Sequence, residues 1–351
     1  MKVGIIAPPF ITIPPKGYGG TELVIYNLVE GLSRLGHKVI LFAPKYSKTS
    51  ADNFIPYIDS DEITLNIASP LMQKLTAMEL CSKFAYSFSA YKSVDVIHDH
   101  TLSNNIVDKP SIHTLHGPAT EGSVNKCVEI SNNPLNHFVS ISKKQKEMYL
   151  TLSKNINFAG TVYNSIDVKT TEWNSNKEDF LLFVGRINWE KGPDMAVRVA
   201  AKLKKPLVMV VKMSEDFEKE FFSRKIQPLL DRFPKSISIK MYEEPPHDFK
   251  FKLYQKAKCT LFTSQWEEPF GLVMIESMAS GTPVVALKRG AAPEVIAHGK
   301  TGFLVNNEKE MIEALKDIDK IKPEDCRKHV EKYFSVEKMA ENYANLYKNI
   351  L

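Results

Sequence analysis

Short apolar runs alternate with longer stretches of helical period, and the alternation occurs twice along the chain. Val3-Gly4-Ile5-Ile6-Ala7 reads as a buried parallel strand, because a strand covered on both faces needs apolar residues at consecutive positions. A loop rich in Pro and Gly follows, and Ile25, Leu28, Leu32 and Leu35 then fall at helical spacing up to a stop at Gly36. Val39–Ala43, Val94–His98, Ser111–His116 and Phe138–Ile141 continue as strands, Ser142 is placed to cap a lysine-rich helix, and Thr161-Val162-Tyr163 closes the first series. The polar stretch Lys169–Lys177 reads as a linker. Beyond it the strand runs are Phe180–Val184, Leu207–Val211, Ile237–Ile239, Thr260–Thr263 and Val284–Ala286, with Pro193 suited to the first turn of a helix. Met339, Tyr343, Leu346 and Ile350 recur at three- or four-residue steps, predicting an amphipathic terminal helix over Val336–Leu351.

Two such series in 351 residues predict an α/β protein of two doubly wound, Rossmann-like lobes, divided as 1–166 and 167–335, with 336–351 as the terminal helix. Open parallel sheets bind ligands beyond the carboxyl ends of their strands, so a cleft between the lobes is the expected site and the loops after strands should carry the chemistry.

Composition narrows the classes. Lys plus Arg exceed Asp plus Glu by 46 to 41, without a concentrated basic stripe, which excludes nucleic acid as the expected partner. Cys81, Cys127, Cys259 and Cys326 are far apart with no His at metal-ligand spacing, which fits a reducing cytoplasm rather than a disulfide framework. The first apolar run meets prolines at once, too short for a signal peptide or an integral membrane segment. Loop 45–60 and segment 70–92 carry aromatic and apolar residues, Phe84, Tyr86, Phe88 and Tyr91 among them; most of these read as core, the two segments are the first lobe's candidate surface for a second ligand, and peripheral membrane contact stays open. Acidic and basic residues nearly balance over 1–165, so there is no steering toward anionic lipid.

The first strand leads into Pro14-Pro15-Lys16-Gly17-Tyr18-Gly19-Gly20-Thr21-Glu22, where Gly19 and Gly20 leave the N–H groups of a helix start available to an anion. The competing reading is a tight turn, and the spacing is not the G-x-G-x-x-G dinucleotide fingerprint. Gly185-Arg186-Ile187-Asn188-Trp189-Glu190-Lys191-Gly192 puts two cations five residues apart on a loop leaving a buried strand. Arg186 with its planar fork and Lys191 as a point charge can clamp a diphosphate; the alternative is two solvated charges. In Trp266-Glu267-Glu268-Pro269-Phe270-Gly271-Leu272-Val273-Met274-Ile275-Glu276, one carboxylate precedes a helix and a second sits in its first turns, within reach of successive parts of one extended ligand. The bland readings are a dipole-offsetting Glu268 and a Glu276 paired with a lysine, since a charge in an apolar helix needs a partner. His98-Asp99-His100 and His113-Thr114-Leu115-His116-Gly117-Pro118 end two strands. Metal binding ranks below hydrogen bonding there, for want of a third ligand. His116 is the better cleft candidate, with His98 and His113 read as satisfied interior histidines.

Together these loops resemble a retaining glycosyltransferase of family 4, and the likeness spans nearly the whole chain. The resemblance implies the two-lobed GT-B fold, a terminal helix crossing back to the first lobe, and a nucleotide-sugar donor used without metal or other cofactor. By the same resemblance, Gly19 and Gly20 face the donor diphosphate, Arg186 and Lys191 neutralise it as it leaves, and His116 lines the sugar site. Glu268 and Glu276 match the family's E-x7-E pair, the first toward the sugar and the second toward the ribose, with Phe270, Gly271 and Leu272 between them. Asn164-Ser165-Ile166-Asp167 is similar to the family's N-G-I-D segment, with Ser165 in place of glycine. The opening loop, with L-H-G-P and R-G-A-A-P-E-V, resembles a bacterial subgroup described as UDP-glucose:tetrahydrobiopterin glucosyltransferase-like. That implies transfer of glucose from UDP-glucose to a hydroxyl of a small-molecule, glycan or lipid-linked acceptor.

Two positions depart from the pattern: Val211-Lys212 and Tyr242 stand where the family has glycines near the nucleobase. The competing functions are a glycosidase, which has two carboxylates but no use for the cation pair, a non-catalytic sugar-binding or regulatory relative, and a nucleotide-sugar epimerase.

Overall fold

The computed structural model describes residues 1–57, 70–91, 94–103, 108–233 and 235–351. The chain divides into two units, one of Met1–Ser165 with Val336–Leu351 and one of Ile166–Ser335.

In the first unit, the described strands are β1 (Lys2–Ile6), β2 (Lys38–Ala43), β3 (Asn53–Pro56), β4 (Val96–Asp99), β5 (Ser111–Leu115), β6 (Asn136–Ser140) and β7 (Phe158–Thr161). They form one parallel sheet in the order β3-β2-β1-β4-β5-β6-β7. The order reverses between β1 and β4, the switch point where crossovers leave to opposite faces and a crevice opens. The helix Gly20–Arg34 buries Val24, Ile25, Leu28, Val29 and Leu32. Leu35, expected on the same stripe, closes the helix as its C-cap and is 40% exposed, with Gly36 taking the positive φ of 78° that ends the turn. The terminal helix Val336–Ile350 turns Met339, Ala340, Tyr343, Ala344 and Tyr347 inward. It lies close to Gly20–Arg34, because a Cβ at Gly31 would come within 2.7 Å of the Ala340 Cβ. Ser142 caps Lys143–Leu152 through the Gln145 N–H, as its position predicts.

In the second unit, β8 (Leu181–Arg186), β9 (Leu207–Lys212), β10 (Ile239–Glu243), β11 (Cys259–Phe262), β12 (Val284–Leu287) and β13 (Gly302–Val305) form a parallel sheet in the order β10-β9-β8-β11-β12-β13. The switch point lies between β8 and β11. Pro193 opens the helix Pro193–Leu203.

Several expectations need correction. Lys169–Lys177 is no free linker: Lys177 Nζ donates to the carbonyls of Gln255 (2.8 Å) and Ser280 (3.1 Å) and to Thr282 Oγ1 (2.8 Å), and Arg327 holds the Thr171 carbonyl at 2.8 Å. Backbone carbonyls at helix ends attract cations, so these charged side chains fasten the segment to the second unit. The run expected at Ile237–Ile239 is instead β10, Ile239–Glu243, an edge strand on which Lys240, Met241 and Glu243 are exposed and no residue is fully buried. The aromatics sit on a helix, Pro70–Tyr91, so four-residue rather than two-residue steps share a face: the rings of Phe84 and Phe88 meet at 5.9 Å, with Phe84 46% exposed, while Tyr86 is buried on another face with its hydroxyl on Asp99. The side chain of Tyr91, and residues 58–60 and 92 of those two segments, lie outside the described residues. Among the described residues no helix is long and apolar enough to cross a membrane.

Candidate active site

In the second unit the predicted residues gather on the two loops that leave the switch point. Gly192 has a positive φ of 61°, and a Cβ there would lie 2.4 Å from the Thr263 carbonyl oxygen, so only glycine lets the loop after β8 press against the loop after β11. Gln265 N–H donates to the Glu190 carbonyl at 2.7 Å and Thr263 Oγ1 to the Lys191 carbonyl at 2.9 Å. That lacing brings Lys191 Nζ to Glu268 Oε2 at 2.5 Å, a carboxylate oxygen that also accepts from Trp266 Nε1 at 2.8 Å. Arg186, at the end of β8, donates through Nη2 to Glu190 Oε2 at 2.9 Å, joined there by Asn188 Nδ2 at 3.2 Å. Behind it the buried Glu218 places Oε1 4.0 Å from Arg186 Nη1, while its other oxygen accepts the N–H groups of Ser214 and Glu215. Arg186 and Lys191 are therefore not solvated surface charges: each is held by a carboxylate.

Glu268 stands four residues before the helix Leu272–Ala279, whose N-cap Gly271 has φ 87° and no side-chain cap. A Cβ at Gly271 would lie 2.8 Å from Met274 Cε and 2.9 Å from the Phe262 ring. The first N–H groups of that helix, Leu272 included, have no intrahelical acceptor and suit an anion. Phe270 is buried with its ring edge-on to Phe334 at 5.9 Å, which leaves its side chain in the core. Glu276 is buried in the second turn, where Lys250 Nζ reaches both its oxygens at 2.9 and 3.0 Å and the Tyr254 hydroxyl donates at 3.0 Å. Burial and the Glu276 charge push the Tyr254 hydroxyl well above its usual value of 10, so it remains a donor.

In the first unit, Gly19 is the N-cap of Gly20–Arg34 without a side-chain cap; a Cβ on it would lie 2.7 Å from the Pro15 Cβ and 3.0 Å from Glu22 Oε2. Burial raises the pKa of Glu22 in that first turn. Asn164 is buried with Oδ1 lacking a hydrogen-bond partner, as does Ser165 Oγ, while the Ser165 carbonyl accepts Asn27 Nδ2 at 2.9 Å. His116, just past β5, bonds through Nε2 to His100 Nδ1 at 2.8 Å. His100 stacks on His98 with centroids 4.2 Å apart, and His98 is held by the Tyr347 hydroxyl and Thr114 Oγ1, both at 2.7 Å. His98 is thus a satisfied interior histidine as expected. His113 is interior but not satisfied: neither ring nitrogen has a hydrogen bond, and its nearest charge is Asp99 at 3.6 Å. Burial lowers all four rings, His116 to about 4, so they are neutral near pH 7. Among the described residues no three His, Cys, Asp or Glu side chains gather to hold a metal ion.

The partners were the part sequence reasoning missed. Glu190, four residues after Arg186, Trp266, two before Glu268, and Lys250 and Tyr254, four apart on one helix, carried a local signal; Glu218 and His100 are brought to their partners by tertiary packing.

Comparison with known proteins places the chain in a family. The family model for "Glycosyl transferases group 1" matches residues 166–334 and that for "Glycosyltransferase Family 4" matches residues 18–169. The chain is 24% identical to spore coat protein SA of Bacillus subtilis, over 99% of each chain. It is similar in structure to AviGT4, a glycosyltransferase involved in avilamycin A biosynthesis, with TM-score 0.72 and 22% identity, covering 99% of this chain and 97% of that one. It is likewise similar to Anabaena HepE, solved in complex with UDP-glucose, with TM-score 0.71 and 16% identity, covering 99% of this chain and 100% of that one. With two parallel sheets of Rossmann order and both halves matched, the chain has the GT-B fold and belongs to the group 1/family 4 glycosyltransferases.

Proposed function

We propose that the protein transfers a hexose, glucose from UDP-glucose in the first instance, to a hydroxyl acceptor with retention of anomeric configuration and without a metal. The observation that carries this reading is the pairing of Arg186 and Lys191 with Glu190 and Glu268 at the β8/β11 switch point, beside an uncapped helix start. Cations preorganised by carboxylates can take up the charge that grows on a diphosphate when its bond to the anomeric carbon breaks. A side chain with pKa about 4 holds almost no proton at pH 7, so His116 cannot protonate the leaving group and serves as a neutral hydrogen-bonding group. The leaving-group electrons go to the diphosphate oxygen, Arg186 and Lys191 balance them, and the acceptor hydroxyl, attacking from that same face, gives its proton to the departing phosphate. Glu268 addresses the sugar hydroxyls and Glu276, held by Lys250 and Tyr254, the ribose, as acceptors of hydrogen bonds. The donor in the HepE complex supports UDP-glucose, and the subgroup resemblance supports the same donor. The acceptor is a small molecule, a glycan or a lipid-linked hydroxyl, the last reached from a membrane surface, and the protein works in the cytoplasm.

The test is to incubate the purified protein with a panel of nucleotide sugars without acceptor, following diphosphate release and melting temperature. One donor is expected to stabilise the fold and release its nucleoside diphosphate slowly, with chelator making no difference. A new nucleotide sugar as product would make the protein an epimerase. Absence of stabilisation by every donor at millimolar concentration would count against donor binding altogether.

A further inference from the structure

We propose that His100 is a positioning residue for His116: it occupies Nε2 of His116 and fixes its neutral tautomer, so that the nitrogen offered to a ligand is Nδ1 carrying a proton. This rests on His116 lining the sugar site.

The geometry begins with strand alternation. His98 and His100 are two apart at the end of β4 and project to the same side, where their rings stack at 4.2 Å and 24°. The His98 ring is fixed through both nitrogens, by Tyr347 and Thr114, and Thr114 is held in turn by the Tyr343 hydroxyl at 2.9 Å. His100 thus lies against an immobile plate and meets His116, the next ring in the stack, at a centroid distance of 5.1 Å. The His100 Nδ1 to His116 Nε2 bond of 2.8 Å joins two neutral rings, so it contains one hydrogen.

Which ring owns that hydrogen follows from the far side of His100. Its Nε2 is buried and has no hydrogen-bond partner. If His116 were the donor, neutral His100 would have to carry its own proton on that orphaned Nε2. A buried N–H without an acceptor is among the rarest features of folded proteins, because it forfeits its bonds to water and regains none. If His100 is the donor, the orphan is a bare ring lone pair, the more tolerable of the two. Free imidazole leans toward the Nε2–H form, a smaller effect than stranding a donor. His100 therefore donates, His116 accepts on Nε2, and its remaining proton sits on Nδ1. His116, unlike His98, His100 and His113, keeps part of its surface accessible, so that N–H is a donor aimed at a lone pair such as that of a sugar hydroxyl.

The test is a long-range proton–nitrogen correlation spectrum of protein labelled with nitrogen-15 histidine, with His116 assigned from its loss in His116→Gln. The expected spectrum shows His116 protonated on Nδ1 in the wild type. His100→Leu should release that tautomer and slow donor turnover about tenfold, as loss of one oriented hydrogen bond implies. His100→Asn, whose amide can donate from nearly the Nδ1 position, should restore both and guards against misreading a fold defect. His116 protonated on Nε2 in the wild type, or a tautomer unchanged in His100→Leu, overturns the inference. A tautomer that behaves as expected while His116→Gln turns over normally keeps the positioning role and removes His116 from the sugar site, so the two failures are told apart.

Discussion

The two units share a sheet order and place their chemistry at the same kind of switch point, yet they solve opposite electrostatic problems. Around β4 and β5 the groups are imidazoles that burial has stripped of charge. Around β8 and β11 they are cations, Arg186 and Lys191, each paired with a carboxylate. A histidine escapes the cost of burial by losing a proton, whereas arginine in a protein never does. The first arrangement offers short-range, directional hydrogen bonds; the second stores charge that an incoming anion can take over. The fold supplies the positions, and the loop residues decide which of the two chemistries each half supports.

The sharpest way to break this contrast is to delete one group from each half. Under the proposed transfer, Arg186→Ala removes charge that balances the breaking donor bond, and a 10²–10³-fold loss of diphosphate release is expected, in line with the ~3–4 kcal/mol typical of a preorganised donor. His116→Ala removes one neutral hydrogen bond and should cost only about 3- to 10-fold. Equal losses would mean that the units do not divide charge and orientation as described.

Acid should separate the units as well. The native pKa of His116 lies at about 4 against 6.5 for the free side chain, and His98, His100 and His113 are also lowered. The unfolded chain therefore binds protons that the native first unit refuses. The stability is fully present above pH 6.5 and is lost as pH falls toward 4, at ~1.4 kcal/mol per pH unit for each such ring; for His113 the neighbouring Asp99 charge opposes the effect. Trp173, Trp189 and Trp266, the three tryptophans of the chain, all lie in the second unit. Circular dichroism, which sees both units, should lose cooperativity and melt earlier at pH 5 than at pH 7.5, ahead of the tryptophan fluorescence transition. Coincident transitions at both pH values would erase the predicted difference.

Much of this was legible in the sequence because it is local. Buried parallel strands must be apolar at successive positions, so β1, β2, β8, β9, β11 and β12 stand out within a residue or two. The glycines around Arg186, Lys191 and Glu268 mark loops after strands, where such sheets bind. What escaped is what depends on tertiary neighbours. β3, β10 and β13 are edge strands, so none needs apolar residues at every successive position. Lys169–Lys177 looks like a linker because its anchors are a lysine and an arginine on carbonyls, which hydrophobic patterning cannot register. The His98-x-His100 spacing was visible, but its meeting with His116 depends on β4 and β5 lying side by side in register.

The smallest expected effect tests how far the stack of rings reaches. Tyr347→Phe removes only the hydroxyl that holds His98 Nδ1 at 2.7 Å. The ring keeps its place in the first unit, where it packs 6.2 Å from Tyr343, and Thr114 still holds Nε2 of His98. The cost is therefore one buried hydrogen bond plus an unmet imidazole nitrogen, ~1–2 kcal/mol. It should show as a lower unfolding midpoint in circular dichroism with the tryptophan transition unmoved. Because His98 retains one anchor and its stacking on His100, the His116 tautomer should survive the change. If Tyr347→Phe instead shifted that tautomer as strongly as His100→Leu, the terminal helix would be orienting the site directly, and the contrast would no longer be between two self-contained half-sheets but between one loop pair and a helix that reaches into it.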